Sequence, residues 1–440
     1  MSLDEKIVTQ MRDVARQIFL DTLSQSSVEA AFERHVAYDR GILRIGDDLY
    51  NLDSFTRLLV IAIGKAGHSM AEALVNQVGT RAAGFVVSSV NPPERLAQFL
   101  YFHGGHPVPN EDSVRAATAI QSVLETLDQS SLVIYLLSGG GSATLERPIF
   151  SQISLDDLVA TYSALVNCGA PIAEINAIRK HISAVKGGRL AQAAESAQQV
   201  SIMVSDVPDN QLDALASGPT MPDSSTVSQC YEIVRNYDLL PKLPPTVRVI
   251  FEQKLLQETP KSTDAAFVNA RWWPILSSGI AAKSAAAFAA AQGFAVEIDN
   301  SCDDWEYDMA ADHLLAKLRK LRAGASKVCL ISGGEVTVRV PKNSGIGGRN
   351  QQFALYCAQK IAGANITVMS AGTDGIDGNS KSAGAIADGT TVERARSQNL
   401  TTSQALSTFD AGTLFDKLGD SIVTGPTGNN VRDLRVLLAY

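Results

Sequence analysis

The chain has 440 residues, 45% of them apolar and 19% charged, with a formal charge of −8. That composition describes a globular protein with a large buried core and room for two or three domains. The acidic balance argues against a nucleic-acid or anionic-membrane surface, though not against a local basic pocket.

The opening MSLDEKIVTQMRDVARQIFL spreads acids and polar residues through its apolar positions. It lacks the apolar h-region of a signal peptide, and no later stretch is a membrane span. Five scattered cysteines without a CxxC pair fit a reduced, cytoplasmic setting, and six histidines without HExxH argue against zinc. Strands are predicted at 57–63, 83–89, 131–138, 198–206, 272–278, 294–299, 327–332 and 366–372. These are nearly continuous apolar runs, as parallel strands covered on both faces require. Amphipathic helical stretches such as AGHSMAEALVNQ and DMAADHLLAKLRKL alternate with them. The fold class is therefore α/β, with ligands expected at the carboxyl ends of the strands. Prolines and polar residues between 237 and 264 mark a seam, giving a larger domain over 1–245 and a smaller α/β domain over 264–440.

Three strand ends run into small-residue turns. IAIGKAGHS places Lys65 before a helix, LLSGGGSAT places Gly139, Gly140 and Gly141 between Ser138 and Ser142, and SGIGGRNQQ places Gly345, Gly347, Gly348 and Arg349 before a helix starting near Asn350. Glycines there let backbone N–H groups approach an anion at a helix start. None is a Walker A loop, because Leu59 stands five before Gly64, and none completes GxGxxG, because Thr144 and Asn350 occupy the third-glycine positions. Arg349 is the odd residue, a cation at the helix end where the dipole disfavours it. A polyphosphate ligand would supply the missing negative charge.

NAIRKHISAVKGGRLAQ, read as a helix, puts Arg179, Ser183 and Lys186 on one face, with Lys180 and Arg189 on a solvated one. Asp206, Glu335 and Asp374 end buried strands, where phosphoryl transfer needs carboxylates to hold Mg²⁺ or position an acceptor hydroxyl. Asp377 reads as a capping residue, and His103 and His106 in FHGGHPVPN as part of a Gly/Pro turn.

In order, GKAGHSM, GGHPVPN, LLSGGGSA, GAPIAEINAIRKHISAVKGGRLA, SDVPDN, ASGPTMPD, ISGGEVTV, GGRNQQFAL, AGTDGIDG, AGAIADGTT and TGPTGNNVRDL resemble the glycerate 2-kinases of the MOFRL family, from about Val60 to Leu434. The resemblance implies an ATP- and Mg²⁺-dependent kinase that phosphorylates D-glycerate on its 2-hydroxyl. It also implies a Rossmann-like amino-terminal domain, a carboxyl-terminal α/β domain and a site in the cleft between them. Lys65 and Arg349 fall where the family's catalytic cations lie, with Asp206 and Asp374 as further catalytic residues and Asp206, Glu335 and Asp374 as metal ligands. The nucleotide would meet Ser138, Gly139, Gly140, Gly141, Ser142, Lys186, Gly333, Gly334, Gly347, Gly348 and Asn350, and the acceptor would meet Asn176 and Arg179. Partners would be small molecules, with no nucleic acid or membrane, leaving room for a homo-oligomer. SSVNPPERL and Gln352 depart from the family's usual residues. Two rival readings are a hydroxypyruvate reductase, a label relatives also carry, and a non-catalytic sugar-phosphate sensor.

Overall fold

A computed structural model describes residues 4–440. The chain forms two compact units: Ala31–Ile275, and Leu276–Tyr440 joined by the amino-terminal stretch up to Ala30.

The Ala31–Ile275 unit begins with a small antiparallel meander, β1 (Val36–Asp39), β2 (Ile42–Ile45) and β3 (Asp48–Asn51). Its main sheet comprises β4 (Arg57–Ile63), β5 (Gly84–Ser88), β6 (Phe99–His103), β7 (Ser131–Ser138), β8 (Gln198–Val204) and β9 (Ala270–Leu276), in the order β6-β5-β4-β7-β8-β9. The pairs from β6 through β8 are all parallel. The chain steps outward from β4 to β6, then returns to build β7, β8 and β9 on the other side. This is the doubly wound order of a dinucleotide-binding sheet, whose ligand crevice opens where the order reverses, at the carboxyl ends of β4 and β7.

Helices cover the sheet because its strands are apolar on both faces. Ile61, Ile63, Val133, Tyr135 and Leu137 are buried with Ile120 and Leu124 of the helix Glu111–Leu124. That helix starts at an Asn110–Ser113 capping box, which satisfies backbone donors at its first turn. A second cluster joins the helices Leu155–Val166, Ile172–Ile182 and Pro245–Glu252 through Leu158, Leu165, Ile178, Val247 and Phe251. The proline-rich stretch after 237 is thus not a linker. Prolines at its helix start fix the entry, and the helix buries three side chains.

The other unit holds β10 (Ala295–Ile298), β11 (Val328–Gly333), β12 (Ile366–Gly372), β13 (Gly384–Asp388), β14 (Ser421–Ile422) and β15 (Asp433–Ala439), in the order β10-β11-β15-β12-β13-β14. Only β10 and β11 pair in parallel; β15 lies antiparallel between β11 and β12. The parallel reading holds for the run at 327–332 against β10, while the run at 366–372 has antiparallel neighbours on both sides, β15 and β13. A continuous apolar run reports cover on both faces, which helices provide, and carries no information on strand direction. Inserting β15 sets Leu434 opposite Gly333 and Asp433 opposite Gly372, at the ends of both neighbours.

The helix Glu5–Gln25 packs in this unit and not with the amino-terminal domain of the sequence reading. Met11, Ala15, Ile18 and Phe19 meet Ala282, Ala285 and Ala289 of the helix Ser278–Ala291, whose small side chains allow close approach. Each large side chain buried this way contributes about 1.5–3 kcal/mol. Arg12 adds ion pairs to the buried Asp388 and Asp420.

Candidate active site

The crevice of the first unit is built by two interlaced loops. After β4 the chain passes through Gly64 and Lys65 into the helix Gly67–Val78; after β7 it passes through Gly139 and Gly140 into the short helix Gly141–Thr144. The Ser138 hydroxyl donates to the Ile63 carbonyl at 3.1 Å and accepts the Ala66 N–H at 3.0 Å, while the Lys65 N–H donates to the Gly139 carbonyl at 2.9 Å. Gly64 is at φ +105°, and a Cβ there would lie 2.4 Å from the Ser138 carbonyl oxygen. Only glycine fits that turn. Ser138, expected among the nucleotide contacts, is buried and spends its hydroxyl on this lacing. Ser142 likewise pairs its hydroxyl with Ser217 at 2.6 Å.

Asp206, just past β8, lies directly over this loop: a Cβ on Gly139 would sit 2.0 Å from its Oδ2. Lys65 is exposed and lies over Gly140, with its Cγ and Cε 3.2 and 3.3 Å from where a Cβ would stand. The structure therefore brings Lys65, Gly139, Gly140 and Asp206 together. It adds His106, whose Cδ2 lies 3.1 Å from the same Gly140 position. The sequence reading had confined His106 to a turn because nothing local in GGHPVPN points to β7.

The basic stretch 176–192 differs from its prediction. The helix Ile172–Ile182 ends with Ser183 in extended conformation, so Lys186 lies beyond it and no helical face carries the set. The Lys186 ammonium is wholly buried and donates to Glu146 and to the Ser142 carbonyl, a commitment that leaves it inside the core instead of on a nucleotide. Glu146 also accepts from Ser183 at 2.6 Å and from the Tyr162 hydroxyl. Burial lowers the Lys186 pKa, while Glu146 opposes the shift. Lys180 and Arg189, expected on a solvated face, are buried, and Lys180 pairs with Asp223 at 3.1 Å and Asp213 at 3.2 Å. Arg179 is half-buried, its guanidinium 4.7 Å from the Tyr162 ring centre, and Asn176 is half-buried on the same helix.

In the second unit the helix Arg349–Lys360 begins at Arg349 itself, with Gly348 as N-cap. Asp377 closes that end: its two oxygens accept the Asn350 N–H at 3.0 Å and the Gln351 N–H at 2.8 Å. The capping role read for it holds. Burial pushes its carboxyl up to about 7, against those two hydrogen bonds. The protein supplies the anions for Arg349 itself. Nε donates to Asp433 Oδ2 at 2.6 Å, Nη2 donates to Asp433 Oδ1 at 3.1 Å, and Nη2 reaches Glu335 Oε1 at 2.7 Å. Burial disfavours the charge, yet Asp433 and Glu335 hold the guanidinium firmly protonated. A planar fork clamped by two carboxylates is fixed in direction, and Nη1 takes up no hydrogen bond among the described residues.

Burial, and then Asp433, raise the Glu335 carboxyl, with Arg349 opposing. Asp374 is exposed, and its Oδ1 accepts the Ile376 N–H at 3.1 Å. It lies near Asp433 across Gly372, where a Cβ would be 3.0 Å from Asp374 Oδ1 and 3.4 Å from Asp433 Oδ1. The Gly333 N–H donates to Asn300 and Gly334 packs on Asp303, while the Gly347 N–H donates to Asn379 and Gly348 packs on Asp377. Asn350 is buried between Asp377 and Ser370, accepting from the Ser370 hydroxyl at 2.6 Å, which makes it structural and no nucleotide contact. Asp433 and Glu146 escaped the sequence reading, although VRDL had been noted as a motif. Among the described residues no group of three or more His, Cys, Asp or Glu side chains is placed to hold a metal ion.

The fold is that of a doubly wound α/β protein, with glycine loops, a lysine and a carboxylate at its point of reversal. Two family models match the chain, "Domain of unknown function (DUF4147)" over residues 14–252 and "MOFRL family" over residues 328–433. The D-glycerate 2-kinase of Thermotoga maritima is 34% identical over 417 residues, covering 93% of this chain and 95% of that one. A crystal structure of glycerate kinase from Thermotoga maritima superposes with a TM-score of 0.85 at 31% identity, covering 98% of this chain and all of that one (100%). A crystal structure of a protein from Pyrococcus horikoshii OT3 superposes with a TM-score of 0.86 at 30% identity, covering 100% and 99% of the two chains. The chain belongs to this DUF4147–MOFRL family.

Proposed function

We infer that the chain is a glycerate 2-kinase, transferring the γ-phosphoryl group of ATP to the 2-hydroxyl of D-glycerate. The observation that carries this reading is the convergence of Lys65, Asp206 and the Gly139–Gly140 backbone at the carboxyl ends of β4, β7 and β8. A loose phosphoryl-transfer transition state is stabilised by positioned charge. The Lys65 ammonium, exposed above the glycine loop, supports that role toward the transferring group. Within the other unit, Arg349 is a cation of fixed direction, held by Asp433 and Glu335 with Nη1 left to donate.

Mg²⁺ fits the same residues. It is commonly held by one or two carboxylates together with nucleotide phosphates and water, so a three-residue protein cage is not needed. Asp206 beside Gly139 in the first unit is a carboxylate of that kind, and the exposed Asp374 is one within the second unit. Bound with ATP, the ion would neutralise charge on the phosphates. A dinucleotide reductase is disfavoured because the turn after β7 lacks the third glycine, with Thr144 in its place. The test is D-glycerate-dependent ADP release. It should require Mg²⁺ and be lost with EDTA; ADP release indifferent to glycerate would refute the acceptor assignment.

A further inference from the structure

The loop Gly104–Asn110, between β6 and the helix Glu111–Leu124, is fastened to the crevice of the first unit. A Cβ on Gly104 would stand 2.2 Å from the Thr144 carbonyl oxygen, so this backbone lies directly on the short helix after the glycine loop. The Gly105 N–H donates to the Ser113 hydroxyl at 3.0 Å, and the Asn110 amide donates to the His103 carbonyl at 3.0 Å. A loop held at both ends carries its side chains in fixed places. The side chain it delivers to the crevice is that of His106, with Cδ2 over Gly140 next to the Lys65 stem. Nε2 is the ring nitrogen bonded to Cδ2, one bond from the atom that lies over Gly140.

Resting on the kinase reading, we propose that His106 is a catalytic residue that accepts the proton of the acceptor hydroxyl. In the step, the hydroxyl oxygen forms a bond to the γ-phosphorus and the bond from that phosphorus to the β,γ-bridging oxygen breaks. The bridging oxygen leaves with the electron pair on ADP, and the hydroxyl proton passes to Nε2 and then to solvent. The surroundings suit a base. Partial burial against the loop, and then the charge of Lys65, lower the imidazole pKa, with Asp206 opposing. That shift favours the neutral ring, whose unprotonated nitrogen can take a proton. Lys65 and Asp206 are the charged groups acting on it from the ends of β4 and β8.

General-base catalysis by a positioned side chain contributes roughly 10²–10⁴-fold. The experiment measures glycerate-dependent ADP release between pH 5 and 8 for wild type, His106→Asn and His106→Gln, with circular dichroism confirming that each variant folds. Wild-type kcat/KM should rise to a plateau with a midpoint below pH 6.5, the ordinary histidine value. The folded variants should lose about 10²-fold or more in kcat, and that rise should vanish. A wild-type profile without that ionisation overturns the proposal, whatever the variants do. So does a folded variant that keeps wild-type kcat, or one that is slow but keeps the same acid limb, as a merely structural histidine would allow. Absence of glycerate-dependent ADP release from wild type would instead overturn the kinase reading beneath it.

Discussion

Replacing Arg349 by lysine keeps the charge and removes the fork. In the structure that fork makes two bonds to Asp433, at 2.6 and 3.1 Å, and one to Glu335 at 2.7 Å. A lysine ammonium is a point donor that cannot clamp one carboxylate from two sides while spanning to a second. Asp433 is 1% exposed at its side chain, so any lone pair it loses stays out of water. One charge-assisted bond lost at such a site costs roughly 1.5–3 kcal/mol. For a unit of this size that lowers the melting midpoint by roughly 3–12 °C. Arg349 is thus not a surface residue whose exchange would leave stability untouched, contrary to what its place at a glycine turn suggests. The catalytic effect is separate. With the Nη1 donor gone, transition-state stabilisation falls, and kcat should drop about 10²-fold with a smaller change in KM. The assay pairs steady-state ADP release at 15–20 °C below the variant's midpoint, a margin of roughly one to several such shifts, with a thermal melt. Asp433→Asn serves as comparator: it keeps Arg349 but loosens its clamp, so kcat should fall there too. Near-wild-type kcat in folded Arg349→Lys would refute the assignment of Arg349 to the transition state.

Lys65→Met should lose at least about 10²-fold in kcat while melting like wild type, because Lys65 is exposed and forms no ion pair among the described residues; a large loss of stability would count against a purely catalytic lysine. Glu146→Gln removes the counter-ion of the wholly buried Lys186 and should destabilise by about 3–5 kcal/mol, read from the denaturant midpoint; an unshifted midpoint would show the pair to be dispensable. The Asp377 carboxyl, raised from 3.8 to about 7, favours the folded state most when protonated. Its contribution is therefore full below pH 4, declines as pH rises toward 7 and is flat above. Asp377→Asn should flatten that part of the melting-point profile, and an unchanged slope between pH 5 and 7 would rule the titration out.

Much of the first unit is legible in the sequence because its strands β4, β5, β7 and β8 are apolar runs, and β4 and β7 lead into glycine turns. The turns announce the crevice, and Lys65 and Asp206 stand where strand ends place them. Other elements carry weaker signals. β13 is GAIAD, too small and short to stand out, and β15 is interrupted by Arg435, a fully buried cation within its apolar run. Strand direction in the second sheet follows from where β15 inserts, a long-range choice that local periodicity does not record. Partner choice is equally long-range: Arg349 finds Asp433 across 84 positions, and Lys186 finds Glu146 across 40. The sequence shows a cation at the wrong end of a helix and invites a ligand as the explanation. The fold answers first with its own carboxylates.

The measurement that bears most directly on the account is the fate of phosphate in a mixture of the protein, Mg²⁺, ATP and D-glycerate, followed by ³¹P NMR. The account predicts ADP and 2-phosphoglycerate appearing together in equal amounts, and neither accumulating when glycerate is left out. ATP that stays intact while the same protein oxidises NADH with hydroxypyruvate would contradict it.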